Sequence, residues 1–524
     1  MSRETTVREA TYALLRELGL TTVFGNPGST ELPMFRDFPP DFRYVLGLQE
    51  SVVLATADGF AQARDGAALV SLHSAIGVGH AMGSIFTACK NQTPLVIIAG
   101  QQARAILPFE PFLYSEQAAQ LPKPYVKWSC EPARAADVPA AIARAYYAAM
   151  QPPRGPAFVS VPVDDWDRPC DKLAARQVSQ AIGGDPGLLS RAAAALSVAS
   201  RPVIVVGAGV ARDDAWDETI ALAEEHQAAV WVSPMSARNS FPERHPLFAG
   251  FLPADRPQIV ERLAGADFIL VLGAPVFPYH MDGQGPHIPA GASLVQLTDD
   301  PGAAAWCPVG TSIVTSLKLG VSALLGSVPK AARKSPPIPA RAPRVSADVL
   351  SDRYLMQQIA ALRPAGGIIV EEAPSSRAPM HDHLPMLERN TFHTCASGGL
   401  GHGLPAAVGV ALARPGRKVI GLLGDGSAMY SIQGLWTAAQ LKLPVAFIIV
   451  NNGSYRALEE FGRRFDIKTL PGVHLPGLDF CGLAEAQGVK ALRVERAEEL
   501  DAALRTVFAA VAPTLLEVRV SELK

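Results

Sequence analysis

The chain has 524 residues, 48% from the hydrophobic set and 18% charged, with 47 Lys and Arg against 49 Asp and Glu. That length exceeds what one core serves and predicts three domains, while the even charge balance leaves no field to attract nucleic acid or an anionic membrane and predicts a small-molecule ligand. Its six cysteines stand at least 40 residues apart with no CxxC pair, which argues against a disulfide framework or a cysteine zinc site and fits a reducing cytoplasm.

In chain order, "MSRETTVREATYALLRELGL" sets Glu4, Glu9 and Glu17 among apolar positions, the pattern of an amphipathic surface helix rather than a targeting peptide. Short Val- and Ile-rich runs then alternate with helical patterns: "LVSLH" (69–73), "PLVIIAG" (94–100), "RPVIVVGAG" (201–209), "KVIGLLG" (418–424) and "VAFIIV" (445–450). This alternation predicts an α/β protein of βαβ units, with mainly parallel sheets flanked by helices. Apolar runs such as "FILVLGAPVF" (268–277) are about half the length that crosses a bilayer and read as buried strands. "GAGVAR" (207–212) follows a strand as a dinucleotide fingerprint would, but Arg212 holds the third glycine position, so a Rossmann-like domain without a working NAD site is expected. The segment 326–347, with five prolines and five basic residues, reads as a linker with nothing to pack. With a softer boundary at 171–188, the expected domains are 1–175, 185–325 and 345–524. "IFTACKNQTPLVIIA" (85–99) aligns weakly with "LWTAAQLKLPVAFII" (435–449), sharing Thr, Ala, Pro and Ile, which hints that the first and third domains have one fold.

The stretch "GDGSAMYSIQGLWTAAQLKLPVAFIIVNNGSY" (424–455) carries the chemistry. Ile432, Leu435, Trp436 and Ala439 fall on one helical face between two strands. The unit therefore places Asp425 and the pair Asn451 and Asn452 at the carboxyl ends of strands in one sheet, where open α/β sheets bind ligands. A carboxylate, an amide oxygen and a backbone carbonyl are hard ligands suited to Mg²⁺, which completes its shell with phosphate oxygens and water. Gly424 and Gly426 permit close backbone approach, and the helix start offers N–H groups to an anion. A diphosphate cofactor held through a divalent metal is the expectation.

GDG followed by some two dozen residues and NN resembles the motif of thiamine-diphosphate-dependent enzymes. "VFGNPGSTELPMF", "LHSAIGVGHAMG", "VKWSCEPARAADVP" and "GAPVFPYH" extend the resemblance, end to end, to the benzoylformate decarboxylase family. The resemblance implies thiamine diphosphate with Mg²⁺, a thiamine-diphosphate-binding fold in the first and third domains, and nonoxidative decarboxylation of a 2-keto acid, benzoylformate in the first place. It implies Asp425, Asn452 and the Ser454 carbonyl as metal ligands. Gly424, Gly426, Ser427 and Tyr455 belong to the same cofactor turn. Glu50 is implied to bond the cofactor's aminopyrimidine and promote its activation. Ser29 is implied to bind the substrate carboxylate, His73 to assist early proton transfers, and His280 to assist the later protonation and product release. Gly398 and Leu400 of "CASGGLGHGLP" are implied to offer a carbonyl and to prop the cofactor into a bent shape. Pro374 and Ser375 align with a diphosphate-contacting segment, and Leu113, Phe461 and Val473 with an aromatic substrate pocket. The family further implies a homodimer or homotetramer with sites shared between subunits.

Two residues depart from the family pattern. Arg456 stands where glycine is expected, either facing solvent or altering the acid accepted, and Val473 where a larger aliphatic residue is expected. A thiamine-dependent carboligase, a decarboxylase of another 2-keto acid and, more remotely, a noncatalytic cofactor-binding subunit remain open.

Overall fold

The computed structural model describes residues 4–326, 329–330 and 332–521. Three six-stranded sheets follow one another along the chain. The first comprises β1 (Thr22–Gly25), β2 (Arg43–Leu46), β3 (Ala68–Leu72), β4 (Leu95–Gln101), β5 (Ser129–Cys130) and β6 (Ala157–Pro162). The second comprises β7 (Pro202–Val206), β8 (Ala229–Val232), β9 (Phe248–Phe251), β10 (Phe268–Leu272), β11 (Ser293–Thr298) and β12 (Thr311–Val314). The third comprises β13 (Ile368–Glu372), β14 (Phe392–Thr394), β15 (Val419–Gly424), β16 (Val445–Asn451), β17 (Lys490–Val494) and β18 (Thr514–Arg519). Their central strands are parallel and buried along their length, because helices cover both faces.

The first sheet runs β2-β1-β3-β4-β6-β5 and the third β14-β13-β15-β16-β18-β17, the same order shifted by twelve strands. The weakly similar stretches 85–99 and 435–449 fall on equivalent helix-to-strand units, ending in β4 and β16. The middle sheet, β12-β11-β10-β7-β8-β9, has the order of a doubly wound dinucleotide fold. In "GAGVAR" Arg212 lies 3.9 Å from Asp299, just past the end of β11.

Two local expectations change. The amphipathic start is a helix over Val7–Glu17, closed by a reciprocal capping box between Thr6 and Glu9. The helix expected between β15 and β16, however, is two pieces, Asp425–Met429 and Gly434–Leu441. Among the described residues, the proline-rich segment after 328 carries no helix or strand until Asp352, but it does pack. Arg333 donates to the carbonyls of Leu196, Ser197 and Ala199, at the end of helix Pro186–Val198. A guanidinium fork satisfies carbonyls that a helix terminus leaves without partners, which proline content does not reveal. Residues 327, 328 and 331 of that segment lie outside the described residues.

Candidate active site

Asp425 follows β15 directly and Asn451 ends β16; the strands are adjacent, with Gly424 registered on Val450. The turn after β16 folds back, so that Gly453 N–H donates to Asp425 Oδ2 at 2.7 Å, while Gly426 N–H donates to Oδ1 at 2.8 Å. The two asparagines divide. Asn451 donates to Glu517 at 2.8 Å, while Asn452 Oδ1 stays in the turn and accepts from Ser454 N–H at 3.0 Å. Asp425, Asn452 and Ser454 are therefore gathered in one turn as oxygen donors. Burial pushes the Asp425 carboxyl up, opposed only by backbone amides, and among the described residues no cationic side chain pairs with it. A buried carboxylate lacking a counter-charge, beside amide and carbonyl oxygens, fits a hard divalent cation.

The surrounding turns converge on this point. Tyr455 N–H bonds the Val473 carbonyl at 2.8 Å, and Leu475 N–H bonds the Gly453 carbonyl at 2.8 Å, so the segment with Val473 pins the metal turn from outside. Ser375 Oγ accepts from Ala457 N–H at 3.0 Å, tying the Pro374–Ser376 turn to the same helix start. Arg456 does not face solvent. Its guanidinium is buried, 2.6 Å from Asp352, and also donates to the Ser375 carbonyl at 3.3 Å. The charge is spent on fastening the metal turn to the Ser375 turn. Gly398, with φ +72°, opens the turn that carries Leu400, and Glu372 at the end of β13 holds that turn by accepting from Gly401 N–H at 2.6 Å and from Gly403 N–H. Burial pushes the Glu372 carboxyl up to about 7. Gly424 caps the short helix in which Ser427 is buried.

From the middle domain, His280 stacks on Phe461 with ring centroids 4.8 Å apart and planes at 25°. The two residues are 181 positions apart, and Phe461 brings the helix that begins at Arg456 against His280 as one wall.

The first domain gathers the other group. His73 follows β3 and caps helix Ser74–Asn91. Its Nδ1 donates to Glu31 Oε2 at 3.1 Å and lies 3.1 Å from Thr30 Oγ1. Because Glu31 is the acceptor, the proton sits on Nδ1 and Nε2 is the nitrogen left for chemistry. Glu31 is itself anchored by Gly28 N–H at 2.9 Å and Gly100 N–H at 3.1 Å. Ser29 is exposed on that same turn. Leu113 reaches the site through its carbonyl, which accepts from Ser74 Oγ at 2.7 Å. Glu50 opens helix Glu50–Arg64, placed there by Gln49, whose side chain caps Ser51 and Val52. Its carboxylate Oε2 meets His80 Nδ1 at 3.1 Å.

Among the described residues, no hydrogen bond or ring contact joins Ser29, Glu50, His73 or Leu113 to Asp425, Asn452, His280 or Phe461. The expected site residues form two half-sites within the chain. Thr30, Glu31 and His80 are contacts that the sequence reading missed. Glu31 sits in the quoted "GNPGSTELPMF", and a carboxylate in a glycine-bearing turn is the one signal that could have marked it.

Comparison with known proteins accords with this geometry. The chain matches the thiamine pyrophosphate enzyme N-terminal TPP binding domain over residues 5–120, the central domain over 189–324 and the C-terminal TPP binding domain over 375–518. It is 46% identical to the benzoylformate decarboxylase of Pseudomonas aeruginosa, covering 98% of each chain. It superposes with a TM-score of 0.96 on the thiamine diphosphate-dependent 4-hydroxybenzoylformate decarboxylase of Rhodococcus jostii RHA1, at 43% identity over 99% of each chain. The benzoylformate decarboxylase of Polynucleobacter necessarius gives the same TM-score of 0.96, at 41% identity over 99% of each chain. With its parallel sheets, its oxygen-donor turn and these matches, the chain belongs to the thiamine pyrophosphate enzyme family, as a decarboxylase of 2-keto acids that groups with the benzoylformate decarboxylases.

Proposed function

We propose that the acid decarboxylated is an aryl-substituted 2-keto acid, benzoylformate foremost, yielding benzaldehyde and CO₂. The stack of His280 on Phe461 carries this reading, since it sets a flat aromatic wall beside the metal turn. The names of the relatives at 41–46% identity support it. When bound, thiamine diphosphate supplies the carbon nucleophile and the electron sink that loss of CO₂ requires.

The chain's own residues do the rest. Asp425 and Asn452, with the Ser454 carbonyl, hold Mg²⁺ and through it the diphosphate. Ser375 and Pro374 border that diphosphate, and Leu400, Gly398, Tyr455 and Ser427 shape the rest of the cradle. Glu50 holds and exchanges a proton with the cofactor's aminopyrimidine ring. Ser29 bonds the substrate carboxylate, and His73, its Nδ1 fixed by Glu31, works through Nε2 on the early protons. His280 serves the later protonation, with Leu113, Phe461 and Val473 lining the pocket.

The two half-sites complete one another between subunits, in a homodimer or a pair of dimers. Exposed apolar side chains support this, with Ile76 and Phe112 near His73 and Tyr430, Leu458 and Phe465 around the metal turn, an uncovered area that a lone chain would leave in water. No helix among the described residues is long and apolar enough to cross a membrane.

The deciding measurement is CO₂ release from benzoylformate, 4-hydroxybenzoylformate, pyruvate and phenylpyruvate by the enzyme loaded with Mg²⁺ and thiamine diphosphate. The aryl acids are expected to give the highest kcat/KM. Turnover of pyruvate with none of either benzoylformate would overturn the substrate assignment and leave the reaction class standing.

A further inference from the structure

Glu50 has a partner that none of the roles above employs. Helix Ser74–Asn91 runs past it and presents His80, whose Nδ1 is 3.1 Å from Glu50 Oε2 while its side chain remains 57% exposed. Glu50 itself is 8% exposed, and its Oε1 takes part in no hydrogen bond among the described residues. The carboxylate is thus divided. One oxygen accepts no hydrogen bond among the described residues, and the other rests on an imidazole.

His73, the other histidine on this edge of the domain, cannot serve the same purpose, because its Nδ1 is committed to Glu31 and Thr30. We propose that His80 is a positioning residue for Glu50: it steers Oε2 so that Oε1 is left for the cofactor, and its ring relays Glu50's proton from Nδ1 to Nε2. The inference rests on the assignment of Glu50 to the aminopyrimidine ring.

An imidazole has a nitrogen on each side of its ring and can take a proton on one while giving one up from the other, which suits a relay between a carboxyl and a water in the site. The transfer balances without any co-reactant. Glu50 Oε2–H gives its proton to Nδ1, Nε2–H gives one to water, and the carboxylate is left charged beside a neutral ring. The reverse sequence reloads Glu50. As a plain ion pair at a half-exposed position, the contact would contribute little to stability, so substitutions at residue 80 should leave the fold intact.

The test follows the exchange of the cofactor's thiazolium C–H for deuterium in D₂O by quench and NMR, with cofactor affinity measured alongside by calorimetry. His80→Asn keeps a donor toward Oε2 without a titrating ring, and His80→Ala removes both; Glu50→Gln is the reference. Both His80 variants should bind Mg²⁺ and thiamine diphosphate as the wild type does and exchange about tenfold more slowly, less than the roughly 10²–10⁴-fold that a direct acid or base contributes. Free imidazole should restore exchange in His80→Ala and not in Glu50→Gln. Wild-type exchange in both His80 variants, or no response to imidazole, with Glu50→Gln slow, would overturn the proposal and leave Glu50's role standing. Wild-type exchange in Glu50→Gln would overturn both.

Discussion

Asp425 and Glu50 are both buried carboxylates at helix starts behind strand ends, yet their surroundings give them different work. Asp425 is ringed by backbone N–H groups of its own turn and of the turn after β16, and among the described residues no cationic side chain pairs with it. Glu50 has one oxygen on a histidine and one that accepts no hydrogen bond among the described residues. Asp425→Ala removes the proposed anionic metal ligand and the acceptor that folds the Gly453 turn. Its expected effect is a loss of about 1.5–3 kcal/mol in magnesium-dependent cofactor binding, the worth of a charged hydrogen-bonding group. Glu50→Gln keeps the shape, so cofactor affinity should stay within a few-fold while kcat falls by roughly 10²–10⁴. Calorimetry and steady-state kinetics on the two variants separate these patterns, and the reverse assignment of effects would contradict both roles. At this scale Asp425 and Asn452 were legible from spacing alone, because adjacent parallel strands must bring their following turns together. The roles proposed for Ser29, His73 and His280 come only from resemblance, since a lone hydroxyl or imidazole at a strand end has no periodic signature. Arg456 was visible as a departure, but not its direction. The Asp352 that receives it lies 104 residues away, and only the packed fold makes that pair.

Between elements, the contact that sets Glu50's height is helix against helix. Glu50–Arg64 crosses Gly403–Ala413 at backbone distance: a Cβ built on Gly59 would overlap the Ala406 carbonyl, and one on Gly409 would overlap the Thr56 carbonyl. Reciprocal glycines let two helices from different domains meet without side chains between them. Around this crossing lies a buried polar knot in which Asp58 accepts from Gln62, Asn91 and Thr93 and pairs with His402 at 3.1 Å. Burial alone would raise the Asp58 carboxyl, but His402 and these donors hold it below the ordinary range. Gly409→Val should overpack the crossing and cost about 1–3 kcal/mol of stability. It should also reduce kcat, because a displaced helix carries Glu50 with it. Thermal unfolding with parallel kinetics checks this, and an unchanged melting temperature would contradict the close approach. Neither the crossing of these helices nor the Asp58 knot could be read in the sequence. A helix buried on all sides, as Gly403–Ala413 nearly is, has no polar face to say where it points. The strap formed by Arg333 escaped for a related reason, since a basic residue among prolines looks solvated until a helix end needs capping.

At the scale of the whole molecule, the first and third sheets repeat one strand order around a middle sheet of another, and the proposed site residues are split between the two repeated halves, with His280 added from the middle one. The repeat was faintly legible, in four shared residues across helix-to-strand units that prove topologically equivalent. The sharing of sites between subunits came only from resemblance, because the residues themselves carry no record of which copy of a domain faces which. If each site takes its Glu50 half from one subunit and its Asp425 half from the next, two-fold symmetry makes a sharp demand on mixed assemblies. Glu50→Gln and Asp425→Ala homodimers are each crippled at both sites. A hybrid of one chain of each kind concentrates both defects in one site and leaves the other wild type. Coexpression in equal amounts with random pairing makes half the dimers hybrids, so activity should return to about a quarter of the wild-type value per subunit. Tagging each chain differently and purifying the hybrid should raise that to about half. Were both halves of a site drawn from a single chain, every site in the mixture would carry one defect or the other, and the purified hybrid would be no more active than its parents.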